Sequence, residues 1–409
     1  MDMKTKIQLF AAFLLLAVGA LWLTSCSSED AVQGSGSQAD ASLTLTINTG
    51  KVGSRATAWN GTTTPTSTEE NTINRLTVGI FDASTKKVKT IVELTSATTG
   101  GNSLSVSGNT ATATIVTTSL ATGDDVLVAA NAPAGNFAGV ADETGFNAKT
   151  EGIESAVLSS SDNTKEINNN IPMYGTSTLS AGSTNGTFTA SVPVQHQLAK
   201  ISLESLSVDF DANGPYQSAT FKPTEFFLVN VPENLAFNFA AVNGTSHFHG
   251  CNAESTDYSS LSWVSSLPSQ WGTYKGFLAT GALTSATPLS GKASYNSKSY
   301  FYVTPSKDDT DKGKMKLIIA GDFDANGSGT TEKVFYPVAI NATYDAAGNA
   351  TAADGGTVFQ VSPNKNYKCT VVIKTKGTTD PTKNLDPQAA TVTVTVTDFV
   401  EAKQTTTFE

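Results

Sequence analysis

Apolar and polar positions alternate with period two along most of this chain, and that pattern predicts strands. The clearest run lies near the N-terminus, where Leu43, Leu45 and Ile47 alternate with Thr44, Thr46 and Asn48 up to Gly50. INRLTVGIFD, from Ile73 to Asp82, repeats the pattern with Leu76, Val78 and Ile80 on its apolar side, and Asp82-Ala83-Ser84 supplies a turn. Val88 to Leu94 and Ala111 to Thr117 are further strands. Asp125 to Asn131 (DVLVAAN) is continuously apolar, which suits a strand buried on both faces. Phe137 to Leu158 is the least strand-like region of this half and predicts a short helix. Ile171 to Gly175 and Gly186 to Val194 lead to a boundary near Pro193.

Beyond Pro193, VPVQHQLAKISLESLSVDF reads as one long strand opening a second domain, with Val194, Leu198, Ile201 and Leu203 apolar. Thr224 to Val231, Ser299 to Thr304, Lys314 to Gly321, Lys333 to Ile340 and Asn366 to Thr375 continue the series. A polar linker containing Pro381 (Lys376 to Asp386) sets the last run, TVTVTVTDF from Thr391 to Phe399, apart as a detached terminal strand. Strands at this spacing, with almost no helical periodicity, predict an all-β chain built of β-sandwich domains.

The N-terminus sets the compartment. Lys4 and Lys6 precede an apolar stretch from Ile7 to Leu23, and Leu23-Thr24-Ser25-Cys26 follows. Residues 1–25 therefore read as a signal peptide and not a spanning helix. Their ending resembles a bacterial lipobox, which makes Cys26 the lipidated first residue of the exported chain and fixes a precursor to a membrane. Ser27-Ser28-Glu29-Asp30 resembles the surface-export signal of Bacteroidetes lipoproteins, and Ala31 to Asp40 is a Gly/Ser/Gln tether.

Composition narrows the function classes. Charged residues make up 15% of the chain, below the roughly 25% of ordinary globular proteins, and Thr-rich strands facing water fit an extracellular protein better than a helical enzyme. A net charge of −10 without a Lys/Arg cluster in the body of the chain argues against nucleic-acid binding. With Cys26 assigned to lipid, Cys251 and Cys369 remain. Export permits them to pair, and two buried thiols are the simpler reading, since Cys369 shares a strand face with Tyr367, Val371 and Ile373.

One arrangement links the two ends of the chain. Directly behind the Leu43–Ile47 strand lies Arg55, between Ser54 and Ala56. A cut between Arg55 and Ala56 would detach a strand already built into a sheet and leave an apolar groove with open edges. The terminal segment carries the same pattern, with Val392, Val394 and Val396 standing where Leu43, Leu45 and Ile47 stand, and Phe399 beyond them. The first strand is then a removable plug, and the last is a donor for a neighbouring copy.

These features together resemble the major fimbrial subunit family of Bacteroidales, the type V pilins. The resemblance rests on the lipobox at Cys26, the strand before Arg55, and NRLTVGIFDAST from Asn74 to Thr85. VPVQHQLAKISL, FFLVNVP, YFYVTPS, NKNYKCTVVIKTKG and the closing ATVTVTVTDFVEAKQTTTFE add to it. Gln197 departs from it, because relatives often carry Arg there. The resemblance implies two transthyretin-like β-sandwich domains, export as an outer-membrane lipoprotein, and cleavage by an arginine-specific protease. It also implies a head-to-tail homopolymer at the cell surface, with tip and anchor subunits as further partners. The corresponding domains are a lipidated propeptide over 26–55, an N-terminal sandwich over 56–193, a C-terminal sandwich over 194–385 and a donor segment over 386–409.

Other chemistries are weaker. DFDANG occurs at Asp209 to Gly214 and at Asp322 to Gly327, but the twelfth positions of the two calcium-type loops are Thr220 and Lys333 instead of Glu, so turns explain them better. His247, His249 and Cys251 alternate without an evident fourth metal ligand. No G-x-S-x-G elbow is present, and His196 sits inside a predicted strand, so no enzyme, cofactor or metal is expected. Trp59, Trp263 and Trp271 are candidates for sugar stacking, though core roles are commoner. The alternative to a pilin is a lipid-anchored monomeric surface protein that binds glycans or host proteins.

Overall fold

A computed structural model describes residues 41–49, 67–108, 110–159, 162–166, 169–240, 246–250, 275–310, 313–345, 347–384 and 390–398. Strand is the dominant regular structure of the described chain. Helix is confined to short turns such as α1 (Ser67–Glu70), α2 (Glu143–Asn147) and α3 (Ile153–Val157), two of them within the stretch read as helical. The all-β expectation holds.

The first sheet is built from β1 (Ala41–Thr49), β2 (Arg75–Phe81), β3 (Val88–Thr95), β4 (Ser103–Ser107), β5 (Thr110–Thr117) and β6 (Asp125–Ala130). After a short β7 (Thr150–Gly152) come β8 (Met173–Thr178) and β9 (Thr187–His196). Their order is β3-β2-β6-β8-β9-β1-β5-β4, so the first strand in sequence lies inside the sheet. Leu43 and Ile47 of β1, Val78 of β2, Ile115 of β5, Val128 of β6 and Val192 of β9 share one buried cluster. The two wings of the sheet therefore fold over a common core, as the alternation of apolar side chains demands. On the outer face of β2 and β6, Phe81, Phe137, Phe146 and Phe237 form a second cluster. Gly79 makes room for it, because a Cβ there would stand 2.9 Å from the Phe146 ring.

The rest of the chain forms two facing sheets. One holds β10 (Ala199–Val208), β13 (Ser299–Val303), β16 (Lys365–Ile373) and β17 (Ala390–Asp398). The other holds β11 (Thr220–Val229), β14 (Lys316–Asp324) and β15 (Glu332–Ala339). Their inward residues, among them Ile201, Phe221, Leu228, Ile319, Tyr336 and Val371, make one large core. A short β12 (Asn234–Ala236) pairs with β7 and joins the strands of one half to the loop of the other.

The run beginning at Pro193 is two strands and not one. Val194 and His196 stay in β9, Gln197 and Leu198 intervene, and β10 starts at Ala199 in a different sheet. The alternation slips where the chain changes sheets: every residue from His196 to Leu203 is buried, and a bulge follows at Leu203/Ser205.

A buried polar cluster sits at this crossing. Glu70, at the end of α1, accepts from Lys200 Nζ at 2.7 Å and from the Tyr302 hydroxyl, while His196 Nε2 lies 2.8 Å from the Glu70 carbonyl oxygen. Lys200 Nζ also stands 4.6 Å from the centroid of the Tyr300 ring. Glu70 and Lys200 are both buried, so each compensates the other's desolvation. His196 is structural, as expected, and burial lowers its pKa.

Glu151, on β7, is a second buried carboxyl. Burial pushes it from 4.5 up to about 8, against the opposing hydrogen bond from Ser155. An unfolded chain releases this proton more readily than the folded one, so stability falls as pH rises from about 4.5 to about 8 and levels off above. Chemical denaturation in EDTA should give Glu151→Gln a stability advantage that is absent near pH 4 and widens up to pH 8. A constant difference across that range would contradict it.

Candidate functional site

The site of interest is the position of β1. On one side β1 pairs in parallel with β9, from Ser42↔Thr187 to Thr49↔Val194. On the other it pairs antiparallel with β5, from Ala41↔Thr117 to Asn48↔Thr110. Its backbone is thus used on both edges. Leu43, Leu45 and Ile47 are each 0% exposed, whereas Thr44, Thr46 and Asn48 face outward. Taking β1 away would leave β5 and β9 with facing unpaired ladders, and three apolar side chains' worth of core open to water. At roughly 1.5–3 kcal/mol for each buried aliphatic side chain, that slot is a strong binding groove.

The neighbours of β1 are suited to receive a strand. Ala111, Ala113 and Ile115 of β5 and Ala190, Val192 and Val194 of β9 present buried apolar side chains to the same core. Beyond β1, Arg55 and Ala56 fall outside the described residues, as do Cys26 and the signal peptide. The structure resumes at α1, where Glu70 is locked to Lys200 and Tyr302. The start of the chain downstream of the Arg55 segment is therefore held at Glu70 by contacts that do not involve β1.

The closing strand corrects one expectation. β17 is docked on its own subunit and not detached. It pairs antiparallel with β16 along its whole length, from Lys365↔Asp398 to Ile373↔Ala390. Ala390 and Val394 are buried at 4% exposure and Val392 packs against the same core, while Thr391, Thr393 and Thr395 face outward. The reason is the one that makes the strand a candidate donor: an apolar stripe next to an open edge pairs with whatever edge is nearest. The side chains of Val396 and Phe399 lie outside the described residues. The preceding polar segment is tied down as well, since Phe335 and Thr378 exchange backbone hydrogen bonds of 2.7 and 3.0 Å. Lys316 Nζ donates to the carbonyl of Thr382 at 2.8 Å and reaches that of Lys383 at 3.4 Å.

Other candidates resolve into structure. Asp324 accepts backbone N–H bonds from Asn326, Gly327, Ser328 and Gly329, and Asp211 accepts from Asn213 N. Burial raises the Asp324 pKa, but those four N–H groups more than reverse it. Both DFDANG segments are turns. Cys369 is buried between Leu203 and Val394, its thiol pushed up to about 12 by burial, while Cys251 and the three tryptophans lie outside the described residues. Among the described residues no three His, Cys, Asp or Glu side chains come together as a metal site. No described helix is long and apolar enough to cross a membrane.

The sequence reading missed two features. Glu70, Lys200 and Tyr302 form the buried polar cluster at the sheet crossing, and the signal was a lysine inside the apolar run LAKISL. Glu151 gave no such signal.

Residues 41–204 match the family described as Major fimbrial subunit protein (FimA), and the match begins at β1 itself. That family consists of structural fimbrial subunits and not of enzymes. No curated protein sequence matches the chain. Among solved structures, a fimbrilin from Porphyromonas gingivalis superposes with a TM-score of 0.56 at 18% identity, over 89% of this chain and 99% of that one. A putative cell adhesion protein from Bacteroides eggerthii gives 0.55 at 21%, over 89% and 98%. Another from Parabacteroides distasonis gives 0.56 at 16%, over 88% and 100%. At these identities the structures share the fold.

Truncating the plug tests its place in the core. Leu45→Ala should cost about 2–5 kcal/mol in urea unfolding of the precursor, whereas Thr46→Ala should change stability little.

Proposed function

We propose that this chain is the precursor of a structural pilin, lipidated at Cys26, cut after Arg55 and polymerised by strand exchange into a cell-surface fimbrium that supports adhesion. The match to a fimbrial subunit family over residues 41–204 supplies the class. The observation that carries the mechanism is that β1 is central to its sheet with its apolar side chains fully buried, yet belongs to the segment that a single cut at Arg55 separates from the rest.

Before the cut, β1 fills the groove and the lipid holds the precursor to the outer membrane. An arginine-specific protease then frees the subunit from its anchor and opens the groove in one step. The donor is the C-terminal segment of the next subunit, with Val392, Val394 and Val396 taking the places of Leu43, Leu45 and Ile47 and Phe399 beyond them. Residues 56–193 would form the receiving sandwich and 194–385 the second one.

The docked position of β17 gives this exchange a direction. At home the strand bonds along one edge, to β16. In the vacated groove it would bond along both edges, as β1 does. Donation therefore replaces an edge position with a central one, and parking the strand on β16 covers an apolar stripe until a groove is available. Each subunit gives one end and receives at the other, so the contact is head-to-tail and open-ended, and a filament results. Tip and anchor subunits would end it.

Purified precursor treated with an Arg-specific protease should give a ladder of oligomers that survives detergent and collapses on boiling. Arg55→Ala should abolish the ladder, and so should deletion of residues 391–409. Trimmed protein that stays monomeric, with Arg55→Ala behaving alike, would mean a monomeric surface protein and end the polymer reading.

A further inference from the structure

A pocket of about 180 Å³ lies beside the turn after β6, between the start of β2 and α3, and is floored by Glu151. Glu151 is 95% buried by its 5% exposure, and its Oε2 has no hydrogen-bond partner. A buried carboxyl oxygen without a partner is costly to keep unless something in the pocket meets it.

The other side chains around the pocket restrict what that something can be. Asn131 Nδ2 is committed to the carbonyls of Thr72 and Ile171, at 2.7 and 3.0 Å. Asn74 Nδ2 is committed to the Asn169 carbonyl and to Asn170 Oδ1, at 2.7 and 3.1 Å. The Ser155 hydroxyl is spent on Glu151. Arg75 also lines the pocket, but Glu93 holds its guanidinium, so it adds no uncompensated charge. Among the lining side chains the oxygens are the Glu151 carboxyl, whose Oε2 is unpartnered, and those of Asn74 and Asn170, the latter also accepting from Asn74 Nδ2. An anion would face the unpartnered Glu151 oxygen and is disfavoured. No sulfur or imidazole lines the pocket, which disfavours zinc and copper.

We propose that this pocket binds a hard divalent cation, calcium, with Glu151 as its charged ligand and the oxygens of Asn74 and Asn170 as neutral ones. Several waters would complete the shell, since the space is far larger than a bare ion needs. Calcium fits better than magnesium because the ligands come from separate segments of the chain with no octahedral order, and calcium tolerates irregular, oxygen-rich shells. One charged ligand places the affinity in the weak range of extracellular modules, about 10⁻⁴–10⁻³ M. The bound ion would tie together the start of β2, the end of β6 and β7, and through the β7–β12 pairing it would stiffen the junction between the two halves of the chain.

The test uses the full precursor, stripped with EDTA and titrated with calcium chloride at constant ionic strength, at a pH above the Glu151 pKa of about 8 so that the carboxylate is charged, while thermal unfolding is followed. The midpoint should rise by a few degrees with half-saturation near about 1 mM. Equilibrium dialysis should find one calcium per chain. Glu151→Gln, which keeps the shape of the protonated carboxyl and so the fold, should lose both effects, and Asn170→Ala should weaken half-saturation several-fold. The proposal fails if calcium shifts Glu151→Gln as much as the parent, if magnesium does the same as calcium, or if no shift and no bound ion are found.

Discussion

The structure depends on one strand that the rest of the chain does not own. β1 lies between β5 and β9, hydrogen-bonded on both edges, with Leu43, Leu45 and Ile47 completing the core beneath it. Central strands usually belong to the body of a domain and edges to its margins. Here the central place is filled from the very start of the described chain, upstream of the segment that contains Arg55. A sheet arranged this way cannot be complete without a strand in that slot, and nothing in the ladder requires that the strand come from the same molecule.

What can move is bounded by what cannot. Glu70, fixed by Lys200 and Tyr302, secures the chain on the far side of the Arg55 segment. At the other end, the Thr378–Phe335 bonds and the Lys316 contacts secure the chain up to Lys383. The elements that would change partners in the proposed strand exchange, β1 and β17, lie outside these two clamps. The buried ion pair is costly to assemble but more costly to break singly, so it would hold the chain beyond the Arg55 segment if β1 were removed.

The alternating pattern made the strands legible, because a half-buried strand needs period two and these residues supply it. The same pattern hid two things. Leu198 and Ile201 are out of phase, and that slip marked the change of sheet at Gln197 and Leu198, yet a continuous apolar run looked like a continuous strand. Thr391 to Asp398 carries an alternation that fits any open edge, so sequence could not say whether its partner is β16 of its own subunit or a groove elsewhere. Glu70 and Glu151 stayed out of view for a different reason: a carboxylate becomes informative only when the lysine or the cavity it faces is known, and those partners are far away in sequence.

The central claim is that one groove, between β5 and β9, is emptied and then refilled by another chain. Hydrogen exchange of the β5 and β9 amides measures this most directly, in the precursor, in cut protein lacking residues 391–409, and in the assembled polymer. The account predicts slow exchange in the precursor, fast exchange in the cut deletion protein, and slow exchange again in the polymer. Amides that remain slow after β1 has been removed, or that remain fast in the polymer, would contradict it.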